Sequence, residues 1–168
     1  MIRIDVNKDG KISRDDYELM AEKLIECSKM TTGQAQSTRQ ELMNVADAIG
    51  LNPEVKRSVE EAAKIASDTM LAMSFEKQQA VLNASHNALF NAIDGNKDGH
   101  ISVEEFKIYL KVIAPDISGE EMTHSFNVID SDGNGMISRE EFLAAAFDFM
   151  FGLEETKVSN AFLGHLLF

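Results

Sequence analysis

Apolar residues fall three and four positions apart along most of this chain, the spacing that lines one face of a helix. Tyr17, Leu19, Met20, Leu24 and Ile25 carry the pattern to about Met30. Thr31-Thr32-Gly33 breaks it and starts a second helix, which runs to about Ile49 with Leu42, Val45, Ala46 and Ile49 on one face. Residues 59 to about 73 read as a third helix, and Ser74 is placed to cap a fourth carrying Val81, Leu82, Leu89 and Ile93. Val103 to Ile113 form another, stopped by Pro115. Ser118-Gly119-Glu120-Glu121 has capping-box spacing at the start of the next. The last stripe runs through Phe142, Phe147, Phe149 and Phe151. The predicted class is all-α.

The polar interruptions between these stripes carry the chemistry. In residues 94–105, oxygens of Asp94, Asn96 and Asp98 at positions one, three and five can converge on one hard cation. His100 at position seven offers its backbone carbonyl, Ser102 at nine a hydroxyl or bound water, and Glu105 at twelve two carboxylate oxygens. Gly99 supplies the sharp turn at position six. This is the ligand spacing of an EF-hand calcium loop. Residues 130–141 repeat it with Asp130, Asp132, Asn134, Met136 (carbonyl), Ser138 and Glu141 around Gly135. Residues 5–16 repeat it with Asp5, Asn7, Asp9, Lys11 (carbonyl), Ser13 and Asp16 around Gly10. Ile12, Ile101 and Ile137 all stand at position eight, where paired loops form a short β-bridge facing the core. Three Ca2+ sites are expected. Asp16 reaches less far than Glu, so the first should be the weakest or the most Mg2+-tolerant.

Ser58-Val59-Glu60-Glu61 matches Ser102-Val103-Glu104-Glu105 and places a fourth loop at residues 50–61. Gly50 cannot ligate there, Pro53 stiffens position four, Val55 replaces the turn glycine, and Arg57 takes the core-facing eighth position. This second hand is degenerate, with a structural role in pairing with loop one. The expected architecture is two lobes of paired hands, residues 1–74 and 75–168, with a C-terminal helical tail. Only four residues precede loop one, so the first entering helix reads as missing. In the tail, Val158, Phe162, Leu163 and Leu166 fall on one helical face and are placed to cap an apolar opening.

A net charge of -12 argues against nucleic-acid binding, and the loops explain much of it. Cys27 is the only cysteine, which suits a reducing cytosol and excludes an internal disulfide. No apolar run is long enough to span a membrane. A cytoplasmic monomer is expected. Ten Phe, nine Met and no Trp are the palette of adaptable apolar surfaces. Most of these residues form the cores of the two lobes. A cavity between lobes would draw on Tyr17, Met20, His86, Phe90, Tyr109, Phe162 and His165.

Several stretches also resemble the coelenterazine-binding (luciferin-binding) proteins of bioluminescent anthozoans, within the sarcoplasmic calcium-binding group. They are Ile4-Asp5-Val6 through Ile12 to Leu19, Thr38-Arg39-Gln40-Glu41-Leu42 with Val45-Ala46-Asp47, and Ser58-Val59-Glu60-Glu61-Ala62-Ala63. Phe151-Gly152-Leu153-Glu154-Glu155-Thr156 and Asn160-Ala161-Phe162 are similar as well. The resemblance implies coelenterazine held in an internal cavity as a carried ligand, with calcium promoting its release to a luciferase. The alternatives are a sarcoplasmic-type calcium buffer, which needs only the loops, and a calcium sensor gripping a target helix. Related calcium photoproteins oxidise coelenterazine with His, Trp and Tyr groups. This chain has no Trp, and no Ser/His/Asp set, phosphate loop or zinc spacing, so an enzyme is not expected.

Overall fold

The computed structural model describes residues 5–151 apart from 49, 52–53, 55, 59, 63, 65–67 and 69–71, and the side chains of 48 and 149–151 are likewise outside the described set. Four helix-and-strand units follow one another. β1 (Lys11–Ser13) leads into α1 (Arg14–Ser28), α2 (Thr32–Ala48) follows, and β2 (Lys56–Ser58) precedes helical residues 60–62, 64 and 68. α3 (Phe75–Ile93), β3 (His100–Ser102), α4 (Val103–Ile113), α5 (Gly119–Ile129), β4 (Met136–Ser138) and α6 (Arg139–Phe151) complete the described chain.

Each strand is a three-residue piece whose partner lies in the other loop of its pair. β1 pairs antiparallel with β2 in the register Ile12 to Arg57, and β3 with β4 in the register Ile101 to Ile137. The position-eight bridge expected from the sequence is therefore present in both pairs. The ribbons tie loop one to loop two and loop three to loop four.

Helix starts follow local chemistry. The Ser102 side chain accepts the Glu105 N–H while the Glu105 carboxylate accepts the Ser102 N–H, and the same reciprocal pair occurs at Ser58 with Glu61, Ser118 with Glu121, and Ser138 with Glu141. Ser74 is the N-cap residue of α3, as expected, but its side chain makes no capping bond. α2 ends on Gly50 in the left-handed region at φ +79, with Gly50 N–H to the Asp47 carbonyl and Leu51 N–H to the Ala46 carbonyl. This is a Schellman cap, and buried Leu51 seals it. Ile49, Pro53, Val55, Phe149, Phe151 and the tail from 152, including Val158, Phe162, Leu163, His165 and Leu166, lie outside the described residues or side chains.

The core is continuous across both pairs of hands. Phe90, Phe106 and Phe142 are fully buried, with Phe90 edge-on to Phe142 at 5.7 Å and Phe106 edge-on to Phe126 at 6.0 Å. Each buried ring contributes about 1.5–3 kcal/mol of transfer free energy. α2 packs along α3 and α1 against α4, so the first pair rests directly on the second. Phe147 departs from the expected stripe and is 42 % exposed. Five residues on from Phe142 it lies well off the face that buries Phe142, Ala145 and Ala146.

Candidate metal centres

Loops one, three and four share one backbone path. Position four is left-handed in each, at Lys8 (φ 61), Lys97 (φ 64) and Gly133 (φ 68). Position six is a glycine with φ of +79, +88 and +84 at Gly10, Gly99 and Gly135. These turns aim successive N–H groups inward at the side chains of positions one, three and five. Asp94 Oδ1 accepts from Asp98 N–H at 3.2 Å and its Oδ2 from Gly99 N–H at 3.0 Å. Asp130 takes the same bonds from Asn134 and Gly135, and Asp5 from Asp9 and Gly10. The N–H groups of Lys11, His100 and Met136 at position seven donate to the side chains of Asp9, Asp98 and Asn134. The side chains of positions one, three and five thus accept from the loop's own N–H groups in each case.

Position twelve does two jobs. Glu105 closes loop three, its Oε1 accepting from Gly95 and Asn96 N–H at 3.0 and 3.2 Å and its Oε2 from Ser102 N–H and hydroxyl at 2.9 and 2.7 Å. Because it is also the third residue of the exit helix, the same carboxylate caps α4. Glu141 repeats this with Ser138, Ser131 and Asp132. Asp16, one methylene shorter and wholly buried, reaches the equivalent partners: Val6 and Asn7 N–H at 3.0 and 3.3 Å, and Ser13 N–H and hydroxyl at 2.9 and 3.3 Å. Loop one is drawn closed on the shorter arm.

The electrostatics fit a cation. In loop four, single carboxylate oxygens of Asp130, Asp132 and Glu141 lie within 4.8 Å of one another, which clusters three acidic groups. Burial works to raise the Glu141 carboxyl, but the bonds from Ser138, Ser131 and Asp132 outweigh it and hold it down at about 2. Asp94 is pushed upward, first by burial and then by Glu105 and Asp98 against the bonds from Gly99 and Lys97. Hard oxygen donors in this number suit Ca2+ or Mg2+ rather than a softer metal. Ser131 was not singled out from the sequence. Its hydroxyl donates to Glu141 Oε1 at 2.9 Å, from a position that is Val6 in loop one and Gly95 in loop three.

The described luciferin-contact candidates divide between the buried core and a pocket at His86. Tyr17, Met20, Phe90 and Tyr109 are buried in the core, Phe90 beneath the Arg139 guanidinium at 4.2 Å. Tyr17 and Tyr109 are kept neutral: burial pushes both hydroxyls far up, and Tyr109 and Asp16 add to Tyr17. His86 lines a shallow pocket with Leu82, Asn83, Leu143, Ala146 and Phe147, with room for about one water molecule. Its ring Nδ1 lies 2.8 Å from the Leu82 carbonyl, and burial lowers its pKa. Phe162 and His165 fall outside the described residues. Among the described residues, no helix is long and apolar enough to cross a membrane.

Two family patterns match, the EF-hand domain pair over residues 84–147 and the EF hand over residues 1–21. The luciferin-binding protein of Renilla reniformis is 47% identical over 168 residues, covering 99% of this chain and 90% of its own. The crystal structure of the coelenterazine-binding protein from Renilla muelleri, in the calcium-loaded apo form, superposes with a TM-score of 0.86. It is 45% identical, over 98% of this chain and 90% of that one. Calcium-loaded apo-aequorin from Aequorea victoria superposes with a TM-score of 0.68 at 22% identity, covering 91% and 87%, which is a likeness of fold.

Proposed function

This chain belongs to the EF-hand family of luciferin-binding proteins, and from that premise we propose that it carries a coelenterazine-type luciferin and yields it to a luciferase when calcium rises. The observation that carries this reading is the 47% identity to a luciferin-binding protein along 99% of the chain. It extends well beyond the calcium loops, which are generic.

Three sites would hold the cation. They are Asp5, Asn7, Asp9, Lys11, Ser13 and Asp16; Asp94, Asn96, Asp98, His100, Ser102 and Glu105; and Asp130, Asp132, Asn134, Met136, Ser138 and Glu141. Bound there, Ca2+ neutralises the clustered carboxylates, and Mg2+ is an alternative occupant of the first site. The chain's own residues convert that change into motion. Asp16 is adjacent to Tyr17, and Glu105 lies one helical turn before Tyr109. A shift of either position-twelve carboxylate therefore moves the first turn of α1 or α4 and a buried tyrosine with it. The two neutral tyrosine hydroxyls suit the few polar contacts an apolar luciferin needs. The ribbons oblige loops one and two, and loops three and four, to move as pairs.

We read the protein as a carrier rather than an enzyme, acting as a cytoplasmic monomer. Exposed Cys27, the only cysteine, accords with a reducing compartment.

Linkage supplies the test. If calcium favours release, bound coelenterazine must weaken calcium binding by the same factor. Calcium titrations of empty and luciferin-loaded protein should show the loaded form needing more calcium. Superimposable isotherms would leave a calcium-binding protein without a trigger.

A further inference from the structure

Asn91 stands three positions before the first ligand residue of loop three, on the last turn of α3, and its polar atoms go to three different parts of the molecule. Its Nδ2 donates to Glu41 Oε1 on α2 at 3.2 Å. Its Oδ1 accepts from Arg139 Nη2 at 2.7 Å. Its backbone carbonyl accepts from Lys97 Nζ, between Asn96 and Asp98 in loop three. Arg139 is held in turn by Asn87 Oδ1 at 2.9 Å and by the face of Phe90.

Arg139 occupies position ten of loop four, and Arg14 occupies position ten of loop one. Arg14 pairs with Asp47, which sits on α2 six residues beyond Glu41. An unbroken path therefore runs from Arg139 through Asn91 and Glu41, along the rigid helix α2, to Asp47 and Arg14. It joins the exit corner of loop four to the exit corner of loop one, and Lys97 attaches loop three to the same residue. Asn91 belongs to no calcium loop, and ligation does not need it.

We propose that Asn91 is a positioning residue that couples cation occupancy of loops three and four to loop one through Glu41 and α2. This rests on the calcium sites proposed above. A thermodynamic cycle measures this coupling directly.

The Gly10 N–H, bonded to Asp5 Oδ2 at 2.9 Å, is a reporter of loop one. Its NMR resonance is followed through calcium titrations of the luciferin-free full chain. Disabling loop four with Glu141→Gln should shift the loop-one midpoint about fivefold or more, the lower edge of common couplings. In an Asn91→Leu background the same substitution should shift it less than about twofold. Glu41→Leu breaks the Asn91–Glu41 bond from α2, at a residue outside every calcium loop, and should give the same loss, which keeps the test available if Asn91→Leu fails to fold. An equal shift in all backgrounds, or none in the unsubstituted chain, overturns the coupling while leaving the sites intact. A Gly10 resonance that never responds to calcium overturns the loop-one site itself, and the coupling with it.

Discussion

Arg57 stands opposite Ile12 in the β1–β2 ribbon, at the register position where Ile101 faces Ile137 in the other ribbon. A charged, half-buried side chain thus takes a place built for a β-branched one. Arg57→Ile should restore a packed cross-strand pair, adding about 0.5–1 kcal/mol. At this chain length that raises the melting temperature of the calcium-free protein by roughly 1–4 °C. A lower melting temperature would mean that Arg57 holds loop two by contacts that Ile cannot replace.

Asp16 uses both carboxylate oxygens to close loop one on a shorter arm than Glu105. A tighter site tolerates the smaller Mg2+, which demands six short bonds. Calcium titrations with and without Mg2+ should show loop one competed most strongly. Asp16→Glu should shift it toward calcium. Loop one filling first, indifferent to Mg2+, would contradict this.

Gly50 is the ligand-less first position of the degenerate loop, but its left-handed φ of +79 caps α2. Gly50→Ala should cost about 1–2 kcal/mol, the strain of a Cβ in that region. Gly50→Asp should cost stability as well and create no fourth calcium site, since Asp94 and Asp130 leave their helices at φ -63 and -67 instead. A fourth calcium equivalent in calorimetry of Gly50→Asp would refute this.

His86 is lowered by burial, against the partial support of its bond to the Leu82 carbonyl, and its other pocket neighbours are uncharged. The unfolded chain therefore binds the proton more readily than the folded one. Its contribution is present above the ordinary histidine value of about 6.5 and is lost as pH falls below that toward the lowered folded value. Denaturant melts of the calcium-free protein should weaken across that window, and His86→Gln should flatten the slope. An unchanged slope would assign the effect to other groups.

The calcium loops are legible in the sequence because every constraint lies within twelve residues, from the ligand alternation to the positive-φ glycine. The same locality makes the Ser-x-x-Glu helix starts and the position-eight pairing readable. Gly50 is legible only as something lost, since its capping role depends on where α2 ends. Asn91 carries no local signal, because Glu41 and Arg139 lie 50 and 48 residues away. Phe147 looks like core by composition and is exposed by helix phase.

The most direct measurement is co-elution. Calcium-free protein mixed with coelenterazine is gel-filtered, and visible absorbance is read in the protein peak before and after Ca2+ is added. The expected result is stoichiometric colour that calcium strips away or passes to a luciferase. A colourless protein peak, or colour that calcium leaves in place, would contradict a calcium-triggered luciferin carrier.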